Sequence, residues 1–141
     1  MAAIKQGRVW LGALVGGIVW WLWSYTVHSV MLRSAYVEAR AAGQLFEQPR
    51  YPLFILYWLL TLILVSAVIA RLYAHVRQTM GPGPKTAVKL GLLIGFCAGF
   101  PLALSHSSFS PMSRNIPLWW CLDLWVGSCV SALISGWLYR D

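Results

Sequence analysis

The sequence predicts an all-α, polytopic membrane protein: a four-transmembrane-helix bundle with a short interfacial helix in the first outer loop. Three observations predict it. Hydrophobic residues make up 59% of the 141 positions and charged residues 11%. An average soluble domain is roughly 25% charged, so this chain lacks the polar atoms to cover a water-facing surface. Four long apolar runs, at about 9–31, 52–73, 86–107 and 116–138, can each cross a hydrocarbon core of about 30 Å at about 1.5 Å per residue. Lys and Arg gather at or beyond the ends of those runs, where positive charge sets membrane topology. Backbone polar groups in hydrocarbon must be satisfied within their own segment, and the runs lack the alternation of barrel strands, so helices are expected. Residues 1–141 then form a single membrane domain.

The first run follows Lys5 and Arg8, like the start of a secretory signal. Residues 9–31 contain no Asp, Glu, Lys or Arg. That is longer than the usual signal core of about 7–15 residues, so a retained span is expected. In the loop that follows, Ser34, Ala35, Glu38, Ala39, Arg40, Ala41 and Ala42 favour helix, and Gly43 can end it. The first span is therefore expected to extend or bend into an interfacial helix. The leucine-rich second run ends at Gly81-Pro82-Gly83-Pro84, whose prolines cannot continue a helix, so a tight hairpin should join the second and third spans. Pro101 in the third run is expected to produce an ordinary kink.

Seven of the 11 Lys and Arg fall on one side of this scheme: Lys5, Arg8, Arg71, Arg77, Lys85, Lys89 and Arg140. Arg33, Arg40, Arg50 and Arg114 fall on the other. The positive-inside rule places both termini in the cytoplasm and the chain in the cytoplasmic (inner) membrane. Because the net charge of +7 is strung along membrane boundaries rather than gathered in one stripe, it does not indicate nucleic acid. Arg71, Arg77, Lys85 and Lys89 should instead favour anionic lipid headgroups. Trp10, Tyr73, Trp137 and Tyr139 at one boundary, and Tyr51, Tyr57, Trp58, Trp119 and Trp120 at the other, form aromatic belts.

Membrane helices associate by close backbone approach, which small residues four apart permit. Gly91, Gly95 and Gly99 form such a GxxxG ridge on the third span; Gly127, Ser131 and Ser135 form one on the fourth, and Gly12 and Gly16 one on the first. The third and fourth spans are expected in tight contact, ridge against ridge. Asp123, the acid inside a span, lies on the fourth span's ridge and so points into protein. A carboxylate there costs a few kcal/mol on insertion scales, about 2.5–3.5, unless it has a partner or a proton. His28, on the same face as Ser24, and His106, on the glycine face of the third span, lean towards the same depth. Asp123, His28, His106 and Ser24 could then meet in the outer half of the bundle, with Arg114 from the third loop as a further partner for the acid.

The cluster admits several readings. Asp123 bonded to a serine hydroxyl or to Arg114 would be a structural clamp. An acid coupled to a histidine would be a proton or ion relay. His28 and His106 could ligate haem, and the deep Trp20, Trp21, Trp23 and Trp125 could line a pocket for a pigment or lipid-like ligand. No cofactor or metal is expected, with haem or pigment ranked last. Cys97, Cys121 and Cys129 lie in apolar runs without a CxxC spacing and are read as packing thiols. HExxH, GxSxG, the P-loop and dinucleotide fingerprints are absent, so no enzyme activity is expected.

The aromatic-rich stretch Val15–Tyr25, the GPGPKTAVKLGLLIGF run at residues 81–96 and the closing LISGWLYRD at 133–141 resemble small bacterial four-span membrane proteins classed as domains of unknown function. The resemblance implies the four-span fold and carries over no substrate or functional residue. The leading expectation is a structural or accessory subunit of a larger membrane complex, partnered by other integral subunits or by itself. The alternative is a small transporter or proton-coupled carrier using the Asp/His cluster.

Overall fold

A computed structural model describes residues 4–139; Arg140, counted above as a topology signal, lies outside the described residues. The described chain is all helix and loop: α1 (Gln6–Thr26), a π-helical turn (Val27–Met31), α2 (Arg33–Ala41), α3 (Phe54–Met80), α4 (Pro84–Phe109) and α5 (Asn115–Leu138). Four stretches are long and apolar enough to cross a membrane: Gln6–Met31, Phe54–Met80, Pro84–Phe109 and Asn115–Leu138. The four-span expectation holds, and at the α3–α4 turn the second span continues to Met80, past the expected 73, while the third starts at Pro84 rather than 86. Large aliphatic side chains such as Leu64, Leu93, Leu104 and Ile55 face outward, as lipid-solvated helices require.

The turns follow local chemistry. Gly43, at φ +68°, ends α2 with its N–H on the Arg40 carbonyl, while Gln44 N–H reaches the Ala39 carbonyl. This paired bonding is the Schellman arrangement, which a left-handed glycine permits. Between α3 and α4, Gly81 and Gly83 both have positive φ; the Thr86 hydroxyl donates to the Gly81 carbonyl at 2.8 Å and Gly83 N–H to the Tyr73 hydroxyl at 3.0 Å. Pro84 opens α4, where its missing N–H costs nothing. α4 then continues through Pro101 to Phe109 as one helix.

Two antiparallel seams set the packing. On α1 and α5, Gly12 meets Ser135, Gly16 meets Ser131 and Trp20 lies over Gly127. One turn further, Ser24 meets Asp123. Each step advances four residues on one helix and retreats four on the other, so a single register runs the length of the pair. On the second seam, Gly91, Gly95 and Gly99 of α4 pack on Cys129, Trp125 and Cys121 of α5. A Cβ at Gly91 would stand 2.5 Å from the Cys129 Cα, closer than two non-bonded carbons approach without movement of the backbone. Ser128 Oγ donates to the Gly91 carbonyl at 2.8 Å and Trp125 Nε1 to the Leu92 carbonyl at 2.9 Å.

The third and fourth spans are thus in close contact, but the two ridges expected to face each other do not. The Gly127–Ser131–Ser135 ridge faces α1, and α4 lies against a different face of α5. The reason is that α5 carries small or serine residues on two faces, and sequence spacing alone cannot say which neighbour each face receives. α3 closes the bundle against α1 and α5, with Gly17 of α1 against the Ile63 backbone and Ser131 Oγ of α5 donating to Ser66 Oγ at 2.8 Å.

At the end of the bundle opposite α2, the start of α1 and the end of α5 are tied together. Lys5 N–H donates to the Tyr139 hydroxyl at 3.0 Å, and Arg77 donates to the Tyr139 carbonyl at 2.7 Å while its guanidinium lies over the Tyr139 ring. At the other end, the π turn lets the chain swing over the bundle, and α2 docks through Leu32, Ala39 and Tyr36 onto Ile116 and Trp120 of α5.

Candidate functional site

Asp123 is 1% exposed; one hydrogen-bonded chain ends at its Oδ2, and a second, through His28, comes within charge contact of the same oxygen. Ser24 Oγ donates to Oδ2 at 2.7 Å, and Trp58 Nε1 of α3 donates to Ser24 Oγ at 2.9 Å. On the other side, His28 Nε2 stands 3.4 Å from Oδ2, long for a hydrogen bond but close for a charge contact. His28 Nδ1 is 2.6 Å from the Tyr36 hydroxyl, which accepts Trp120 Nε1–H at 2.7 Å. The α1–α5 register places Ser24 opposite Asp123, the π turn carries His28, and α2 folding back brings Tyr36. Single π-helical turns occur most often where function requires a side chain to be re-aimed.

Indole N–H groups only donate, which fixes the direction of the chain from Trp58 through Ser24 to Asp123. On the other side Trp120 donates to Tyr36. In the tautomer that places the proton of neutral His28 on Nε2, facing the carboxylate, the Tyr36 hydroxyl donates to His28 Nδ1. Burial, with the Asp123 carboxylate nearby, pushes the Tyr36 phenol up to about 12 against the opposing effects of the Trp120 bond and Arg40. Tyr36 stays protonated, and stays a donor, across the physiological range.

Asp123 Oδ1 has no hydrogen-bond partner within the protein. A buried, unmatched carboxylate oxygen is costly. It lies beside a cavity of about 690 Å³ that opens at the α2 end and is floored by Asp123, Ser24 and His28. Its walls are mainly aromatic, including Trp21, Tyr25, Phe54, Trp58 and Trp120, and Arg40 and Arg50 stand at its mouth. The Arg50 guanidinium lies 5.2 Å over the Phe46 ring. The volume falls within the roughly 300–1,000 Å³ range of small-molecule sites.

The structure brings together three of the five residues expected to cluster, Asp123, His28 and Ser24. His106 is not among them: it packs edge-on against Trp120 at 5.5 Å, on the α4 face of α5 rather than the α1 face where Asp123 points. Arg114 is not among them either. It is exposed at the start of α5, nine residues from Asp123 and hence about 13 Å along the helix. Both residues share a depth or a loop with the acid but not a helix face. The clamp to a serine hydroxyl is present, through Ser24.

Sequence reasoning did not select Tyr36, Trp58 or Trp120 for the site. The two tryptophans were read only as interface anchors, and Tyr36 becomes a partner of His28 only because the helix breaks between them. The deep tryptophans have separate fates. Trp20 is fully buried over Gly127, Trp21 lines the cavity and Trp125 bonds α4. Trp20 Nε1 and Trp23 Nε1 have no hydrogen-bond partner.

The chain matches no protein-family model, no curated protein and no solved structure.

Proposed function

We propose that this protein is a small membrane carrier that binds one amphipathic solute in the cavity at its α2 end and couples occupancy to protonation of the Asp123–His28 pair. The observation that carries the reading is the open valence of Asp123 Oδ1 at the floor of an aromatic cavity. The titratable and charged groups that line the cavity with it are Tyr25, His28, Tyr36, Arg40, Arg50 and Tyr51. With Asp123 ionised and His28 neutral, the floor carries one negative charge and one unused acceptor. A proton neutralises that charge, and so does a ligand. The two therefore compete, which is the elementary requirement for coupling.

The Lys and Arg bias supports an inner-membrane orientation with both chain ends cytoplasmic and the cavity opening outward. Arg71, Lys85 and Lys89, with Arg77 close to Tyr139, would then meet anionic headgroups of the cytoplasmic leaflet. The accessory-subunit reading rested on the lack of catalytic motifs, the short loops, and more small-residue ridges and deep tryptophans than four helices need for themselves. Gly12, Gly16, Gly91, Gly95, Gly99, Trp20, Trp58, Trp120 and Trp125 all find contacts inside one chain, which favours the carrier reading over a partner-dependent one.

The test is proton movement in proteoliposomes with a trapped pH indicator, challenged with pools of small amphipathic solutes. The wild-type chain should give a saturable pH change with at least one pool, and Asp123→Asn should give none. Equal responses from the two proteins, or none from either, would refute the proposal.

A further inference from the structure

We infer that the ligand of this cavity is a lipophilic primary or secondary amine, bound as its ammonium ion by the Asp123 carboxylate. The inference deepens the carrier reading and rests on it. It comes from a census of hydrogen-bonding capacity at the cavity floor. Trp58 Nε1–H is used by Ser24, Ser24 O–H by Asp123, Trp120 Nε1–H by Tyr36, and Tyr36 O–H by His28. His28 Nε2–H faces the carboxylate. These indole and hydroxyl donors are committed, and the buried oxygen left without a partner is an acceptor on an acid. A ligand bringing another acceptor, such as a carboxylate or a carbonyl, would leave that oxygen unmatched, and a carboxylate would also meet like charge. A ligand bringing N–H donors and a positive charge completes the set, and a charge-assisted hydrogen bond in a low-dielectric site is stronger than a neutral one.

The walls agree with that sign of charge. Indole and phenol faces attract cations, and Trp21, Trp58 and Trp120 surround the floor. They also accept an alkyl or aryl body. The mouth has the opposite preference: Arg40 and Arg50 repel a second positive charge and tolerate a neutral or anionic outer end. The site thus distinguishes a monoamine from a diamine by its two ends, one anionic and buried, the other cationic and exposed to screening.

The experiment uses the full chain in nanodiscs, with intrinsic tryptophan fluorescence read against empty discs and five probes: octylamine, octyltrimethylammonium, octanol, octanoate and diaminooctane. Octylamine should give a saturable change. Its affinity should be at least about tenfold higher than that of octyltrimethylammonium, which has the charge without N–H, and of octanol, which has a donor without charge; tenfold is about 1.4 kcal/mol. Diaminooctane should bind more weakly than octylamine, and Arg50→Gln should narrow that gap. Asp123→Asn should lose octylamine binding while its thermal unfolding stays close to wild type. Asp123→Glu, which keeps the charge, should retain part of it. Preferred binding of octanoate, or octylamine binding indifferent to Asp123, overturns the inference. If octylamine fails but solute pools still drive Asp123-dependent proton movement, the amine assignment falls and the carrier reading stands. If neither occurs, both fall.

Discussion

The α1–α5 pair is one continuous seam with two unlike halves. Towards the chain ends its steps are Gly12 on Ser135 and Gly16 on Ser131, small against small, with backbones close and no side chain long enough to hold them apart. Towards α2 the corresponding step is Ser24 on Asp123, polar against acidic, beside a cavity. Trp20 over Gly127 is the transition between them. The difference teaches that the close half supplies the rigidity that lets the polar half stay open. The register that locks the glycines also delivers Ser24 to Asp123, so the site's geometry is inherited from packing two and three turns away.

The largest effect should come from breaking the transition itself. Gly127→Leu places a side chain where the buried Trp20 indole lies. Overpacking a filled core costs typically about 1–3 kcal/mol and occasionally more. Here no flexible side chain can yield, so loss of folded protein in size-exclusion chromatography is expected, and normal yield would show that the seam slides freely. Gly16→Val tests the close half, where a Cβ would stand 3.3 Å from the Ser131 Cα. A drop in unfolding temperature corresponding to about 1–3 kcal/mol, together with weakened ligand binding in the far half, would show that register is transmitted. An unaltered site would separate the halves.

In the open half, Tyr36→Phe removes the acceptor of Trp120 and the donor to His28. A loss of about 1–3 kcal/mol is expected for the stranded groups, measured by thermal unfolding. The same variant sharpens the electrostatics. Since the folded phenol ionises near 12 and an unfolded one near 10, its protonated form contributes stability fully below about pH 10, and that contribution is lost as pH rises through 12. Phenolate absorbance should show one late-titrating tyrosine fewer in the variant than in the wild type. The smallest effect is at the mouth, where exposed Arg50→Gln should leave stability within about 0.5 kcal/mol.

Much of the fold was legible because each part of it depends on local signals. Apolar run length gives the spans, Gly43 gives the end of α2, and the two glycines with Pro84 give the α3–α4 turn. The site was legible in part, since an acid within a span must be buried against a partner, and Ser24 and His28 share a helix face four residues apart. What escaped was rotational: which face of α5 meets α1 and which meets α4. That choice is made by three-body packing among α1, α4 and α5, and it separates His106 from Asp123 although their depths agree. Tyr36 escaped for a related reason, because the π turn changes the angular phase between His28 and everything after it.

The bond between Lys5 N–H and the Tyr139 hydroxyl has a practical consequence for engineering. Since Lys5 and Tyr139 touch, a short peptide bridge from one to the other would close the chain into a covalent ring. The ring could be reopened in the exposed segment between α2 and α3, around Gln48. Such a circular permutant would carry its new ends at the rim of the cavity, where a fluorophore could report on solute entry.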